Sequence, residues 1–377
     1  MAESAGGEPR LPEDLVLWEI LTRLPSKPLL RCRAVCRSWR YILTSDATFL
    51  LAHHRRQPAL QLVTIGDARE CRLDALDHRA GERRPVARMD QAPYRDNFRP
   101  LAACDGLLIV SAYGSRHICN PATRQRASLP RLSGVYVSGL YPHRPSGSYR
   151  VLCWKAPNDA DHGSAVYYVY TVGFDELRCV GESPGEWATR DISPMFEYCY
   201  PPVLVHGRFH WRPVGGSPGN NMLAFDTVAE SFRRVRTPVE GPHADPFEMK
   251  GELGLYSYNI NGGTADLWVL EDYDANFWSF KYSIKLERPI LFPVPDEQGD
   301  VFIVSQQCLE HLSSGGSSVA TRHEWNILHN LMRHRLKETL VRHDFFPAEG
   351  NGGADETMLF RGLSTAVVLP YDNSKQD

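Results

Sequence analysis

A series of short, regularly punctuated apolar segments in the middle of the chain narrows the possible folds more than any other feature. CDGLLIV (104–110) is followed by HICNPATRQRASLP (117–130), and HGRFHW (206–211) by MLAFDTVAESFRRVRTP (222–238). Each pair reads as a Gly-led strand, a loop, a second strand, an Asn or Asp turn, a polar strand and a terminal proline. Asn120-Pro121 and Asp226-Thr227 open those turns with a side chain that can hydrogen-bond the backbone two residues on. A third copy starts at KGELGLYSY (250–258), with DLWVLEDY (266–273) and FWSFKYSIKL (277–286) as its later strands. Between the first two copies lie YRVLCW (149–154), SAVYYVYTV (164–172) and GEWATRDI (185–192). Starts at Gly106, near Tyr149, at Gly207 and at Gly251 are roughly 44 to 57 residues apart, the period of propeller blades. A blade cannot bury both faces alone, so several must stack. Trp154, Trp187, Trp211, Trp268 and Trp278 fall one or two per copy, where inter-blade packing would use them.

The N-terminal stretch has another texture: LPEDLVLWEILTRLPSKPLLRCRAVCRSWRYILTSDATF (11–49). Leu17, Ile20, Leu21 and Leu24 share one helical face. Pro12 suits the first turn, and Glu13 and Asp14 suit its positive end. Pro25 stops this helix; a short turn carries Leu29 and Leu30. A third segment carries Val35, Cys36, Trp39, Ile42 and Leu43. Three helices in about 40 residues sit at the lower limit for an independent core. Such a bundle must dock on the rest of the chain or complete its core against a partner. Leu11, Leu15 and Trp18 add apolar surface outside the first stripe.

Leu11-Pro12, Asp14-Leu15, Leu24-Pro25, Leu29-Leu30, Val35-Cys36 and Trp39, in this order, resemble the F-box of plant F-box proteins. The resemblance implies docking to a Skp-type adaptor, and through it a cullin, within a Skp–cullin–F-box ubiquitin ligase. By motif position, Leu11, Pro12, Leu24, Pro25, Leu29, Leu30, Val35, Cys36 and Trp39 would form or brace the adaptor-facing surface. Trp18 departs from the pattern. C-D-G-L-L, I-C-N-P-A-T-R-Q, H-G-x-x-H-W, L-A-F-D-T-x-x-E-S-F and D-L-W-V-L-E-D-Y resemble the F-box-associated domain of the same proteins over residues 100–290. That domain implies a propeller-like fold that holds a target protein. VSGLYPHRPSGSYRV (137–151) departs from it.

The expected fold class is therefore α+β multidomain. A disordered lead (1–9) precedes a three-helix F-box (10–50), then an all-β propeller-like repeat domain (57–312) with a C-terminal helix. Residues 66–97 are polar and Arg-rich and suggest loops and a weak strand. DVFIVSQQCLEHL (300–312) suggests one more strand pair. HEWNILHNLMRHRLKETLVRH (323–343), within a 320–343 unit, shows an apolar stripe of Trp325, Leu328, Met332, Leu336 and Leu340 and predicts an amphipathic helix capping the propeller. TMLFRGLSTAVVLP, within 355–370, predicts strands that would pair near residue 60 and close the ring.

A length of 377 residues, 42% hydrophobic and 23% charged, fits two or three globular domains. The net charge of −3 carries no signature of nucleic acid or membrane. No apolar run approaches a membrane span, and MAESAGGEPR lacks a signal-peptide core. The nine cysteines are odd in number and scattered, which argues for a reduced, intracellular protein of the cytoplasm or nucleus. Arg31, Arg33, Arg37 and Arg40, on or near the third helix, make the stretch basic; a solvated face is the default reading, and the family resemblance implies an acidic adaptor that would suit it.

No nucleophile elbow, phosphate loop or dinucleotide motif is present. His323 lacks a second ligand four residues on, where Ile327 stands, and His206 and His210 lie too far apart on a strand to share a metal. The expectation is no catalytic residue, cofactor or metal: a non-catalytic substrate adaptor. The alternative is a propeller-fold enzyme or a stand-alone scaffold whose bundle is only structural. An adaptor should leave Leu11, Pro12, Leu29 and Trp39 partly exposed; a structural bundle should bury them. Target-binding loops are expected at 137–147, 212–221 and 259–264.

Overall fold

The computed structural model describes residues 11–66, 70–77, 82–90, 98–112, 114–155, 165–174, 176–182, 200–213, 220–239, 244–259, 263–285, 292–295, 301–304, 308–312, 319–324, 329–347 and 358–360. The chain opens with helices. Residues 13–23 (α1) combine Glu13–Leu15, a π-helical Val16–Ile20 and a 3-10 turn Leu21–Arg23. Ser26–Arg31 (α2), Arg37–Ser45 (α3) and Ala47–Arg56 (α4) follow. Asp46 caps α4, its carboxylate accepting from the Phe49 amide at 2.9 Å. Leu17, Leu21, Leu29, Leu30, Leu43, Phe49 and Leu50 form the core of this bundle.

After it, the regular structure among the described residues is sheet apart from short 3-10 turns at Pro130–Leu132 and Met358–Phe360. The strands are β1 (Ala59–Gly66), β2 (Glu70–Asp77) and β3 (Glu82–Asp90); β4 (Arg99–Cys104), β5 (Leu107–Ala112), β6 (Ser115–Asn120) and β7 (Gln125–Ser128); β8 (Tyr136–His143), β9 (Ser148–Lys155), β10 (Val166–Thr171) and β11 (Leu177–Glu182). They continue as β12 (Val203–Val205), β13 (Arg208–His210), β14 (Asn221–Asp226) and β15 (Ser231–Arg236); β16 (Ala244–Met249), β17 (Glu252–Asn259), β18 (Thr264–Asp272) and β19 (Phe277–Lys285); β20 (Phe292–Pro295), β21 (Val301–Val304), β22 (Cys308–Leu312), β23 (Val319–Glu324) and β24 (His329–Lys337). Among the described residues they make six four-stranded sheets. Five are consecutive meanders, and the sixth has the order β24-β1-β2-β3. The last strand thus joins the first three and closes a ring. First strands neighbour one another from sheet to sheet, β24 beside β4, β4 beside β8, and β16 beside both β12 and β20.

Two turns repeat and explain why the sequence folds this way. Between the first and second strands, Asp105-Gly106, His206-Gly207 and Lys250-Gly251 all have positive φ at both residues. That is the type I′ hairpin, whose twist matches the strands and whose second position favours glycine. Between the third and fourth strands, Asn120, Asp226 and Asp272 each accept from the amides two and three residues on, at 2.8–3.3 Å. Each turn then ends on a left-handed residue, Arg124, Glu230 or Asn276. Between sheets the apolar faces interlock. Trp154, Tyr141 and Tyr167 of the third sheet pack on Phe209 and Phe225 of the fourth. Trp211 packs beside this cluster, and Trp268 and Trp278 against the next, as the recurrence of tryptophan suggests; Trp187 lies outside the described residues.

Several expectations need correction. The propeller does not end at 312 but runs to Lys337, and 323–343 is not a helix: Val319–Glu324 and His329–Lys337 are strands. β24, not 355–370, closes the ring. Both edges of β1 are already taken, by β2 and β24, and within 355–370 the described residues form a short 3-10 turn, Met358–Phe360. The polar stretch 66–97 contains two full strands, β2 and β3. The 137–147 loop is mostly β8, with a turn confined to 144–147. Gly139 there is no loop signal. A Cβ on it would stand 2.3 Å from the Phe209 ring of the next sheet, so glycine lets the two sheets close.

Candidate functional site

The outer face of the bundle departs from the water-facing pattern of the rest of the molecule. Its exposed large apolar side chains are Leu11, Leu15, Ile20, Val35, Tyr41 and Leu51. The far larger ring exposes Phe174, Val228, Phe277 and Phe280 among the described residues.

The elements explain the placement. α1 starts at Pro12, leaving Leu11 65% exposed just ahead of it. The π-helical turn Val16–Ile20 widens the helix, so the stripe slips: Leu17 and Leu21 point inward while Ile20 faces out. This corrects the expected face of Leu17, Ile20, Leu21 and Leu24. Cys36 caps α3, its sulfur accepting from the Trp39 amide at 3.4 Å, and the turn into that cap leaves Val35 64% exposed. Arg33 does not join a basic face; its guanidinium donates to the Leu43 carbonyl at 2.8 Å, while Arg31, Arg37 and Arg40 are exposed.

Of the nine residues expected to form or brace the surface, Leu11, Pro12, Val35 and Cys36 are exposed. Leu24, Pro25 and Trp39 are half-buried. Leu29 is fully buried and Leu30 nearly so, contrary to the exposure expected of Leu29; both belong to the bundle core, where they can only brace. Leu15, Ile20, Tyr41 and Leu51 complete the exposed set. Leu15 had a sequence signal, being off the stripe; Tyr41 and Leu51 had none.

The bundle is seated on the ring through residues 338–346. Leu340 is 3% exposed within the bundle core, and Val341 packs against it. The Ser26 amide donates to the Glu338 carboxylate at 2.7 Å, and His54 Nδ1 meets the Glu338 carbonyl at 2.9 Å. On the ring side, Asn120 Nδ2 donates to the Thr339 carbonyl at 3.2 Å. Nearby, the Tyr149 hydroxyl donates to Asp105 at 3.0 Å, and His54 stands 3.9 Å from the same carboxylate. Burial alone would raise the Asp105 carboxyl, but His54 and Tyr149 outweigh it and hold the group below its usual range.

A half-open cavity of about 340 Å³ in the ring is lined by Asp105, Glu248, Arg333, His334 and Arg335 among others. Its charges are mutually paired: Arg333 with Asp245 at 3.3 Å, and Arg335 with Glu248. Burial lowers His334 to about 4, so it is neutral at ordinary pH. Among the described residues no group of three or more His, Cys, Asp or Glu is placed to hold a metal ion, and no helix is long and apolar enough to cross a membrane. Of the loops expected to bind a target, 212–221 and 259–264 fall partly outside the described residues.

Comparison with known proteins supplies the family. Residues 77–304 match the model of the F-box associated beta propeller domain, and residues 9–50 match the F-box domain. The F-box protein At5g49610 of Arabidopsis thaliana is 25% identical over 78% of this chain and 86% of its own length. The F-box protein At3g07870 of the same plant is 25% identical over 75% of each chain. Among solved structures, an oligogalacturonate lyase in complex with manganese is 11% identical over 68% of this chain and 74% of that chain, with a TM-score of 0.39. A likeness so loose supports no statement about chemistry.

Proposed function

Starting from the premise that the chain belongs to the F-box-associated β-propeller family and carries an F-box, we propose that it is the substrate-recognition subunit of a Skp–cullin–F-box ubiquitin ligase. The bundle binds a Skp-type adaptor, and through it a cullin; the propeller holds a target protein. The subunit carries out no bond chemistry itself. It brings a target lysine close to the charged conjugating enzyme, and effective concentration supplies the rate.

The observation that carries this reading is the cluster of exposed apolar side chains on the bundle, led by Leu11, Leu15 and Val35. A purely structural bundle would turn them toward the ring. Instead, these side chains meet water, while Leu340 of the C-terminal segment enters the bundle core. Leu11, Pro12, Val35 and Cys36 are the residues proposed to touch the adaptor, with Leu24, Pro25 and Trp39 at its margin and Leu29 and Leu30 supporting them from below. Binding of the full chain to a purified plant Skp-type adaptor, with Val35→Asp as the surface variant, tests the reading. Removing residues 1–50 is a poorer test, because it strips the cover from Leu340 and Val341.

A further inference from the structure

Residues 338–346 lie outside both stretches matched by the family models, 9–50 and 77–304, yet they touch both domains. We propose that this segment is a positioning element that locks the F-box to the propeller in one orientation. Its consequence for ubiquitin transfer rests on the adaptor reading above: adaptor and target would be held at a constant separation. The lock itself does not depend on that reading.

The segment leaves β24 without regular structure, and an extended chain sends successive side chains to opposite sides. Thr339 and Leu340 use this. Thr339 turns to the ring: a Cβ on Gly106 would stand 2.5 Å from the Thr339 methyl, so the hairpin Asp105-Gly106 fits under it only with glycine. Leu340 turns to the bundle and is buried with Leu17, Leu29 and Phe49. Each side is then tied by polar bonds. Glu338 accepts from Ser26 of the bundle, and the Thr339 carbonyl accepts from Asn120 of the ring.

The far end is anchored as firmly. Tyr149 meets the His343 ring edge-on at 5.2 Å, and Phe345 stacks on His343 at 5.1 Å. Phe346 is buried in the core between the second and third sheets, with Phe345 packed beside it. Bundle and ring also meet directly among the described residues. Ala122, in the turn after β6, packs at the edge of the bundle core, and His54 approaches Asp105. The segment therefore joins the two domains by packing and by polar bonds on both sides, and its residues act through others rather than on a partner.

The test places paired fluorophores, through unnatural amino acids, at Tyr41 on α3 and Val228 on the ring, both exposed, and reads single-molecule distance distributions in the full chain without adaptor. The wild type should give one narrow distribution. The triple variant Asn120→Asp, Glu338→Ala, Leu340→Ala should widen it at least twofold. Asn120→Asp keeps the oxygen that caps its own turn and removes only the donor to Thr339. If the triple variant loses bundle helicity, the double variant Asn120→Asp, Glu338→Ala decides, with a smaller widening in the same direction. Glu338→Gln retains an acceptor for Ser26 and should restore the narrow distribution. A broad wild-type distribution, or an unchanged width in the folded variants, overturns the lock. Adaptor affinity, measured on the unlabelled wild type and variants, should stay within twofold of wild type. Absence of adaptor binding beside a narrow distribution would reject the adaptor reading and leave the lock standing.

Discussion

The backbone amide of Ser26 donates to the side chain of Glu338 at 2.7 Å across 312 residues of sequence. Helix α2 has no side-chain cap of its own, because Pro25 precedes it. A carboxylate from the far end of the chain supplies the missing acceptor at the positive end of the helix dipole.

That cap predicts a stability effect. Glu338→Ala should destabilise the bundle by about 1 kcal/mol, the usual loss for a helix cap, while Glu338→Gln should lose less. Denaturant melts followed by the far-ultraviolet helical signal, which among the described residues comes from the bundle, would measure both.

Leu340 predicts a larger one. It is buried in the bundle core although it lies 290 residues along the chain from its core neighbour Leu50. Leu340→Ala should cost roughly 2–5 kcal/mol, as truncation of a packed leucine does. The loss should appear in the bundle before it appears in the ring. Helicity that melts no earlier than in the wild type would show that the bundle does not depend on the C-terminal segment.

Glu230 staples the third sheet to the fourth. Its carboxylate is 8% exposed and accepts from the Tyr141 hydroxyl at 2.8 Å, from Arg150 at 2.6 Å, and from Arg178. Glu230→Ala should cost about 3 kcal/mol, because it strands the partly buried Arg150 guanidinium and the fully buried Tyr141 hydroxyl. Glu230 has a φ of +49°, where a Cβ is strained in any case, so Glu230→Gln is the cleaner variant. The midpoint of chemical denaturation of the ring would report both.

Acid should loosen the ring. His210 Nδ1 faces the Val203 carbonyl and Nε2 lies 2.9 Å from the Tyr273 hydroxyl. Burial lowers its pKa to about 3, so it is neutral in the folded chain. The unfolded chain protonates near pH 6.5, so the stabilisation is full above that value and falls away as pH drops toward the folded pKa. His334, half-buried and lowered by desolvation to about 4, adds to the same trend. One such histidine contributes up to about 1.4 kcal/mol per pH unit. His210→Gln should flatten the fall in stability between pH 6.5 and 5, whatever its cost at pH 7; an unchanged slope would contradict the assignment.

The ring was legible in the sequence because its turns use residues chosen by backbone geometry. Asp105-Gly106, His206-Gly207 and Lys250-Gly251 need positive φ, and Asn120, Asp226 and Asp272 need a short acceptor side chain. β24 was misread because four is a near-period of the helix and also a multiple of the strand period. Met332 and Leu336 share a face in either element, and they are buried together with β1 and β2. The alternation of Arg333 and Arg335 was the strand signal. Both reach β16, to Asp245 and Glu248, as only a period of two allows.

The bundle surface was legible in part. Motif order marked Leu11, Pro12, Val35 and Cys36, which are exposed, but could not separate them from Leu29 and Leu30 beneath. That separation depends on Leu340 and Val341, which arrive from the other end of the chain and cover one side of the bundle. No local pattern encodes which side of a three-helix bundle the C-terminal segment will take.

The most direct measurement is a calorimetric titration of a purified plant Skp-type adaptor into the full chain, beside Val35→Asp, with thermal melts of both proteins. Val35 is 64% exposed, so the variant should melt like the wild type. The adaptor account predicts saturable one-to-one binding by the wild type and a loss of about 2 kcal/mol or more in the variant, the mark of an interface hot spot. No binding by the folded wild type, or equal binding by the variant, would contradict it.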